Sequence, residues 1–248
     1  MDFIGIIPAR FQSTRFPGKP LALLGGKPII QWVYENAQKA LAEVYVATDD
    51  ERIYQAVLAF GGKAVYTSAN HQSGTDRCSE AAQKLAGQLK FDVVINIQGD
   101  EPFIRPEQVE GLKACFNSPE TEIATLIKPI TKVAEITNIN RPKVVINKNQ
   151  EAMYFSRSPI PFVRDSQPEE WLTRNTFYSH IGMYAYRFDI LLKLTQLPTG
   201  TLEKAESLEQ LRWLENGYRI RTAQTQFENI GIDTPEDLEE ARKFLLLS

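Results

Sequence analysis

The sequence has few of the residues from which disulfide frameworks and zinc sites are built. Its 248 residues include only two cysteines, Cys78 and Cys115, and two histidines, His71 and His180. Two distant thiols in a chain of this length indicate a reducing compartment rather than a disulfide framework. The scarcity of histidine nearly excludes a His-rich zinc site.

Long apolar runs and excess positive charge are also missing. No apolar run approaches the roughly 18 residues of a membrane span, and the N-terminal residues lack the basic segment of a signal peptide. The formal net charge is −3, which argues against a nucleic-acid binder, because such proteins usually carry a basic domain or stripe. We therefore expect a cytoplasmic globular protein that binds neither a membrane nor nucleic acid.

The first half of the chain alternates between strand-like and helix-like patterns. This alternation is typical of a parallel sheet with helices on both faces. In such a sheet, ligands bind outside the carboxyl ends of the strands. We predict strands at 3–7, 44–47, 63–66 and 92–97, and helices at 28–41, 51–60, 76–85 and 106–116.

The second half is richer in extended segments that contain Ile, Val, Tyr and Phe. These segments predict a mixed or antiparallel extension of the sheet, so the expected fold class is α/β. We expect a single domain over 1–248, with a β-rich insertion at roughly 122–190. The predicted strands are 122–130, 144–147, 152–156, 179–186 and 218–223, and the predicted helices are 189–194, 203–215 and one that begins at Pro235 with Thr234 as its N-cap.

A basic loop follows the first predicted strand. Residues 8–20 contain Arg10, Arg15 and Lys19 but no acidic residue. Arginine offers a planar fork to phosphate and lysine a point charge, and the prolines of the loop limit its conformational freedom. The loop lacks the glycine and hydroxyl pattern of a Walker A motif. It is either a phosphate site or a solvated basic loop, and its position at a strand end favours the phosphate site.

Carboxylates are expected near this loop. Asp100 follows a buried strand and Gly99, so it should reach the same edge of the sheet. A carboxylate that faces phosphate-binding cations suits Mg²⁺, which prefers one or two carboxylates together with phosphate oxygens and water. Asp233 is either a second metal ligand or a helix-capping residue.

Three polar residues of the second half, His180, Glu209 and Arg157, could either bind a ligand or have only a structural or solvated role. His180 lies in a predicted strand, where a histidine is more often structural, and Glu209 lies on an amphipathic helix, where it is more often solvated. Arg157 ends an aromatic strand. Because an arginine is costly to bury without a partner, we expect an anionic partner from the protein or from a substrate.

Ten short stretches, spread over nearly the whole chain, form a recognisable set. They are IPAR at 7–10, STR at 13–15, PGKP at 17–20, VATD at 46–49, HQSGTDR at 71–77, QGDEP at 98–102, YFSR at 154–157, HIG at 180–182, LEQLR at 208–212 and GIDTPEDL at 231–238. Taken together and in this order, they resemble the 3-deoxy-manno-octulosonate (Kdo) cytidylyltransferase family, also called the CMP-Kdo synthetases. Residues 165–177 and 196–202 match no motif, and Phe16 stands where relatives often carry Leu.

The resemblance implies a fold and a reaction. The fold would be a Rossmann-like nucleotidyltransferase of the glycosyltransferase-A type, and the insertion would bind sugar and form a homodimer. The reaction would join CTP and Kdo to give CMP-Kdo and pyrophosphate with Mg²⁺, for lipopolysaccharide biosynthesis. The alternatives are a cytidylyltransferase for sialic acid or 8-amino-Kdo, and a non-catalytic nucleotide-binding regulator, which would have no use for the pair of aspartates.

The resemblance also implies roles for individual residues. Lys19, Asp100, Asp233 and Arg10 would be catalytic, and the two aspartates would hold Mg²⁺. The nucleotide would be bound by Ala9, Arg10, Arg15, Lys19, Ser73, Gly74, Arg77 and Gln98. The sugar acid would be bound by Arg157, Arg164, His180, Tyr184, Glu209 and Gln210.

Overall fold

The computed structural model describes residues 1–247, which fall into two compact units. The first unit consists of Met1–Val109, Arg187–Thr195 and the residues from Asn229 onward, and the second unit consists of Glu110–Tyr186 and Gln196–Glu228. The second unit contains most of the predicted insertion and extends beyond it. None of the helices in the described residues is long and apolar enough to cross a membrane.

Strands and helices follow one another along the chain largely as expected. The strands are β1 (Phe3–Ala9), β2 (Leu23–Leu24), β3 (Lys27–Pro28), β4 (Glu43–Thr48), β5 (Ala64–Tyr66), β6 (Val93–Asn96), β7 (Ile123–Pro129), β8 (Lys143–Ile146), β9 (Ala152–Ser156), β10 (Tyr178–Arg187) and β11 (Ile220–Gln224). The helices are α1 (Ile29–Gln38), α2 (Glu51–Ala59), α3 (Gly74–Ala86), α4 (Pro106–Cys115), α5 (Val133–Thr137), α6 (Trp171–Arg174), α7 (Phe188–Leu194), α8 (Thr201–Glu206), α9 (Gln210–Glu215) and α10 (Pro235–Leu247).

The first unit is built on a parallel sheet with the strand order β6-β1-β4-β5. Ile7 of β1 lies opposite Val46 of β4, and Phe3 lies opposite Val93 of β6. Ile6 and Ile7 are neighbours in β1, and both are fully buried. Neighbouring strand residues point to opposite faces, so this strand is covered on both faces, as its continuous apolar run indicates. The predicted alternation of strands and helices is confirmed here.

The second unit contains a mixed set of strands. β10 pairs antiparallel with β7 and with β8, β8 pairs antiparallel with β9, and β11 joins β7 in parallel. The extended segments that the sequence predicted are therefore strands, and the predicted α/β fold class with mixed strand pairing is confirmed.

One predicted helix is wrong. The stretch 203–215 forms two helices, α8 and α9, because Ser207 between them adopts a left-handed conformation with φ of 52°. The carboxylate of Glu206 accepts hydrogen bonds from Ser156 Oγ at 2.6 Å and from the backbone N–H of Arg157 at 2.9 Å. These contacts to β9 hold the end of α8, so tertiary structure overrides the helical pattern. The predicted helix 28–41 is shorter than expected, since α1 ends at Gln38.

Candidate active site

A cleft of about 1070 Å³ lies in the first unit, beside the loop that follows β1. Its size suits a nucleotide-sized ligand, since pockets for small molecules measure roughly 300–1,000 Å³. The predicted nucleotide-binding and metal-binding residues that line it are Ala9, Arg10, Arg15, Lys19, Gly74, Arg77, Gln98, Asp100 and Asp233. The fold therefore brings together residues from four separate parts of the sequence.

The ammonium group of Lys19 lies between the two predicted metal ligands. Lys19 Nζ donates to Asp100 Oδ2 at 2.6 Å and to Asp233 Oδ1 at 3.0 Å, and its side chain is only 13% exposed. Burial lowers the pKa of Lys19, but the two carboxylates outweigh that effect and raise it. Lys19 therefore stays charged and links the carboxylates that the sequence places 133 positions apart.

Asp233 does not act as the side-chain cap of α10. Thr234 fills that position, because its Oγ1 accepts from the backbone N–H of Asp237 at 3.2 Å. Asp237 Oδ2 accepts in return from the backbone N–H groups of Thr234 at 2.8 Å and Asp233 at 2.9 Å. The predicted helix start is confirmed, and the Asp233 carboxylate is left to pair with Lys19 and with Arg15, whose Nη2 lies 3.0 Å from Asp233 Oδ2.

The backbone before Asp100 requires glycine. A Cβ on Gly99 would lie 2.8 Å from the carbonyl oxygen of Pro8, which is closer than real Cβ contacts allow. The carbonyl of Asp100 in turn accepts from the backbone N–H of Ile232 at 3.0 Å. These contacts place Asp100 next to β1 on one side and next to the residue before Asp233 on the other.

The basic loop is held by an aromatic contact that sequence reasoning missed. The backbone N–H of Gly18 donates to the carbonyl of Phe11 at 2.8 Å, and Gly18 has a φ of 73°, which favours glycine. The guanidinium carbon of Arg52 lies 3.3 Å from the centre of the Phe11 ring. Phe11 and Arg52 both line the cleft. No local pattern could reveal this cation–π pair, since its members are distant in sequence.

Arg77 reaches the cleft from a buried position. It is 2% exposed, its Nη1 donates to Thr67 Oγ1 at 2.7 Å, and its Nη2 lies 2.8 Å from Asp49 Oδ1. Asp49 ends the VATD stretch at 46–49, to which the sequence assigned no role. Ser73, predicted to bind the nucleotide, caps α3: its Oγ accepts from the backbone N–H of Asp76 at 3.1 Å.

The donor set at this site fits a hard divalent cation. Asp100 and Asp233 approach the same ammonium group, so their oxygens converge on a small volume. Within residues 1–247, no group of three or more His, Cys, Asp and Glu side chains is arranged to hold a metal. Two carboxylates suit Mg²⁺ when substrate phosphate and water complete its shell.

Two of the predicted sugar-binding residues meet in an aromatic cluster of the second unit. The rings of His180 and Tyr184 are 5.2 Å apart, and Tyr184 packs edge-on against Trp213 at 5.1 Å. His180 Nε2 lies 3.0 Å from Thr125 Oγ1. Burial lowers the pKa of His180 to about 3 and raises the pKa of Tyr184 well above its usual value, so both side chains are neutral near pH 7.

Helix α9 adds polar groups to the second unit. Gln210 is 5% exposed, and its Nε2 has no hydrogen-bond acceptor in the described part of the chain. Glu209 precedes it, with Oε1 4.0 Å from Arg212 Nη2, and the negative charge of Glu209 contributes to the raised pKa of Tyr184. A buried amide without an acceptor is costly unless a ligand or water satisfies it.

The two predicted sugar-binding arginines differ in their surroundings. Arg157 donates to three backbone carbonyls: Nε to Glu206 at 2.7 Å, Nη1 to Ile139 at 3.0 Å and Nη2 to Ser207 at 3.3 Å. The protein therefore supplies acceptors for three of its five N–H groups. Arg164 is 88% exposed, and its Nε lies 3.5 Å from Asp165 Oδ2.

Comparison with known proteins agrees with this geometry. Residues 4–230 match the cytidylyltransferase family. The chain is 60% identical to the 3-deoxy-manno-octulosonate cytidylyltransferase of Bacteroides thetaiotaomicron over 248 residues, which cover 99% of this chain and 98% of that protein. It is also 60% identical to the protein of the same name from Phocaeicola vulgatus, with the same coverage.

A solved structure of CMP:2-keto-3-deoxy-manno-octonic acid synthetase complexed with CTP is also similar. The two chains share 45% sequence identity, and the match covers 100% of this chain and 99% of the solved chain, with a TM-score of 0.91. The chain is therefore a nucleotidyltransferase that belongs to the 3-deoxy-manno-octulosonate cytidylyltransferase family.

Proposed function

We propose that the protein transfers CMP from CTP to the anomeric hydroxyl of Kdo, giving CMP-Kdo and pyrophosphate for lipopolysaccharide biosynthesis. The observation that carries this proposal is the convergence of Lys19, Asp100 and Asp233 in a cleft lined by further cations. The similarity to a synthetase solved with CTP supports it. A non-catalytic regulator would need the cations but not the paired carboxylates.

The basic loop would bind the triphosphate. Arg10 and Arg15 are exposed, so both can turn toward phosphate oxygens, and Lys19 adds a charge close to the carboxylates. In the reaction, the anomeric oxygen bonds to the α-phosphorus, the bond from that phosphorus to the bridging oxygen breaks, and pyrophosphate leaves with the electron pair. The hydroxyl proton passes to solvent. Catalysis then consists mainly of alignment and charge neutralisation.

Asp100 and Asp233 would hold Mg²⁺. When bound, the ion neutralises charge on the phosphate oxygens and can lower the pKa of the attacking hydroxyl. Gly99 and the N-terminal end of α10 hold the two carboxylates in place.

The second unit would bind the sugar acid. The Nε2 of Gln210, which has no acceptor among the described residues, offers a buried donor. The neutral imidazole of His180 and the carboxylate of Glu209 offer hydrogen-bond partners for hydroxyl groups of the sugar. Arg157 has N–H groups beyond the three that donate to backbone carbonyls, and these would donate hydrogen bonds to the carboxylate of the sugar acid. Tyr184 would form part of the pocket wall, and Arg164 is exposed enough to reach a ligand.

The proposal includes a homodimer formed by the β-rich part of the second unit, and a cytoplasmic location. Large apolar side chains are exposed there: Ile139 by 65%, Met153 by 63% and Phe162 by 76%. A contiguous patch of exposed apolar side chains is typical of protein interfaces, and the proposal assigns these three side chains to such a patch. Both cysteines are free thiols, which suits a reducing compartment.

Pyrophosphate release tests the function directly. The purified protein would be incubated with Mg²⁺, each of the four nucleoside triphosphates in turn, and Kdo, 8-amino-Kdo or sialic acid. We expect release with CTP and Kdo, and almost none from D100N or D233N at unchanged thermal stability. Release with another sugar acid but not with Kdo would reassign the substrate, and no release with any acid would contradict the proposal.

A further inference from the structure

We propose that Asn229 is a positioning residue that sets the separation of the Asp100 and Asp233 carboxylates. This inference rests on the proposed function, because it concerns the metal site of that reaction. Asn229 lies outside every motif that the sequence analysis singled out. It comes four residues before Asp233, at the start of the last segment of the first unit.

The side-chain amide of Asn229 uses both of its ends. Its Nδ2 donates to Glu101 Oε2, and its Oδ1 accepts from Gln108 Nε2 at 2.7 Å. Glu101 follows Asp100 directly in the chain. One amide therefore connects the segment that carries Asp233 to the loop that carries Asp100 and to helix α4.

The Gln108 end of this contact is rigid. Gln108 is 1% exposed, and its Oε1 accepts from the backbone N–H of Arg105 at 2.9 Å, at the start of α4. Both ends of the Gln108 amide are thus satisfied inside the protein. A buried and fully paired amide is a fixed anchor, since moving it would leave donors and acceptors unsatisfied.

Two further contacts join the same pair of segments. The backbone N–H of Ile232 donates to the carbonyl of Asp100 at 3.0 Å, and the rings of Phe103 and Phe244 meet edge-on at 4.8 Å. Of these three contacts between described residues, only the Asn229 contact consists of side-chain hydrogen bonds, and it reaches both the Asp100 loop and α4. Its loss would leave the segments attached but would loosen their spacing near the carboxylates.

The chemistry of the position explains the choice of asparagine. An amide side chain can donate to Glu101 Oε2 through its NH2 group and accept from the Gln108 amide through its oxygen at the same time. Aspartate would lose the donation to Glu101 Oε2 and would add a negative charge close to Asp100 and Asp233, and alanine would remove both contacts. Residues that orient metal ligands typically change metal affinity or activity by about 10- to 100-fold when they are replaced.

The test compares N229A and N229D with N149A, a control at an exposed asparagine of the second unit. Mn²⁺ affinity would be measured by electron paramagnetic resonance with CTP present and Kdo absent, beside kcat, KM and melting temperature. We expect N229A to weaken Mn²⁺ binding and to lower kcat by about 10-fold or more, with KM for Kdo unchanged. N229D should be worse, and excess Mg²⁺ should partly restore N229A.

The outcomes separate the two proposals. If wild-type protein releases pyrophosphate but N229A keeps wild-type Mn²⁺ affinity and kcat, Asn229 does not position the carboxylates. If N229A loses thermal stability and KM for Kdo rises as much as kcat falls, the residue has only a general structural role. If wild-type protein releases no pyrophosphate while N229A still weakens Mn²⁺ binding, the positioning role holds and the proposed reaction fails.

Discussion

Replacing Lys19 with methionine should raise the affinity of the nucleotide-free protein for a divalent cation, while turnover falls. Lys19 Nζ occupies the space between Asp100 and Asp233, at 2.6 and 3.0 Å from their oxygens. A divalent cation held by both carboxylates would have to displace that ammonium group. Methionine keeps the length and apolar body of the side chain but removes the competing charge.

The size of the effect follows from the two contacts. A hydrogen bond to a charged group contributes about 1.5–3 kcal/mol, so two of them cost about 3–6 kcal/mol to break. Water recovers part of that cost when the ammonium leaves a site where it is already 13% exposed. A remaining net competition of about 1.5–3 kcal/mol corresponds to a gain in metal affinity of about 10- to 100-fold for K19M.

Mn²⁺ titrations followed by electron paramagnetic resonance, without nucleotide, would measure the affinity, and pyrophosphate release would measure the turnover. The matched control is K27M, because Lys27 pairs with Glu35 at 2.7 Å on a more exposed surface. K27M should change neither quantity. Equal or weaker Mn²⁺ binding by K19M would refute the view that Lys19 and the metal compete for the same carboxylates.

Three further changes test the structure. Burial lowers the pKa of His180 from 6.5 to about 3, so its contribution to stability is complete above pH 6.5 and is lost as the pH falls toward 3. In urea unfolding between about pH 7.5 and pH 5, the free energy of unfolding of the wild type should therefore fall by about 2 kcal/mol more than that of H180Q. G99A should lower the free energy of unfolding by about 1–3 kcal/mol, because its Cβ would meet the Pro8 carbonyl. It should also lower turnover, because the same contact displaces Asp100. R77M should lower the free energy of unfolding by about 2–4 kcal/mol, since it leaves the Asp49 carboxylate without its partner. A flat difference between wild type and H180Q, or a neutral G99A or R77M, would contradict the corresponding contact.

Several features follow from the amino-acid order alone, because they depend on local interactions. The strand at 3–7 is an unbroken apolar run, and such a run is buried wherever a covered parallel sheet forms. Thr234, Pro235 and Asp237 specify a helix start through hydrogen bonds that span only a few residues. The position of the basic loop at a strand end also follows from the alternation of strands and helices.

Other features depend on residues that meet only in the folded chain. Sequence reasoning assigned Lys19 to phosphate, but it could not show that the ammonium lies between two aspartates, since these contacts join residues 81 and 214 positions apart. The left-handed Ser207 that divides 203–215 is held by contacts from β9 to Glu206, and these outweigh a helical pattern that was locally sound. The Phe11–Arg52 pair and the Asn229 amide likewise carry no signature in their own neighbourhoods. Local periodicity determines which segments become strands and helices, whereas the spacing of charges in the site is decided by long-range packing, which no short stretch of sequence encodes.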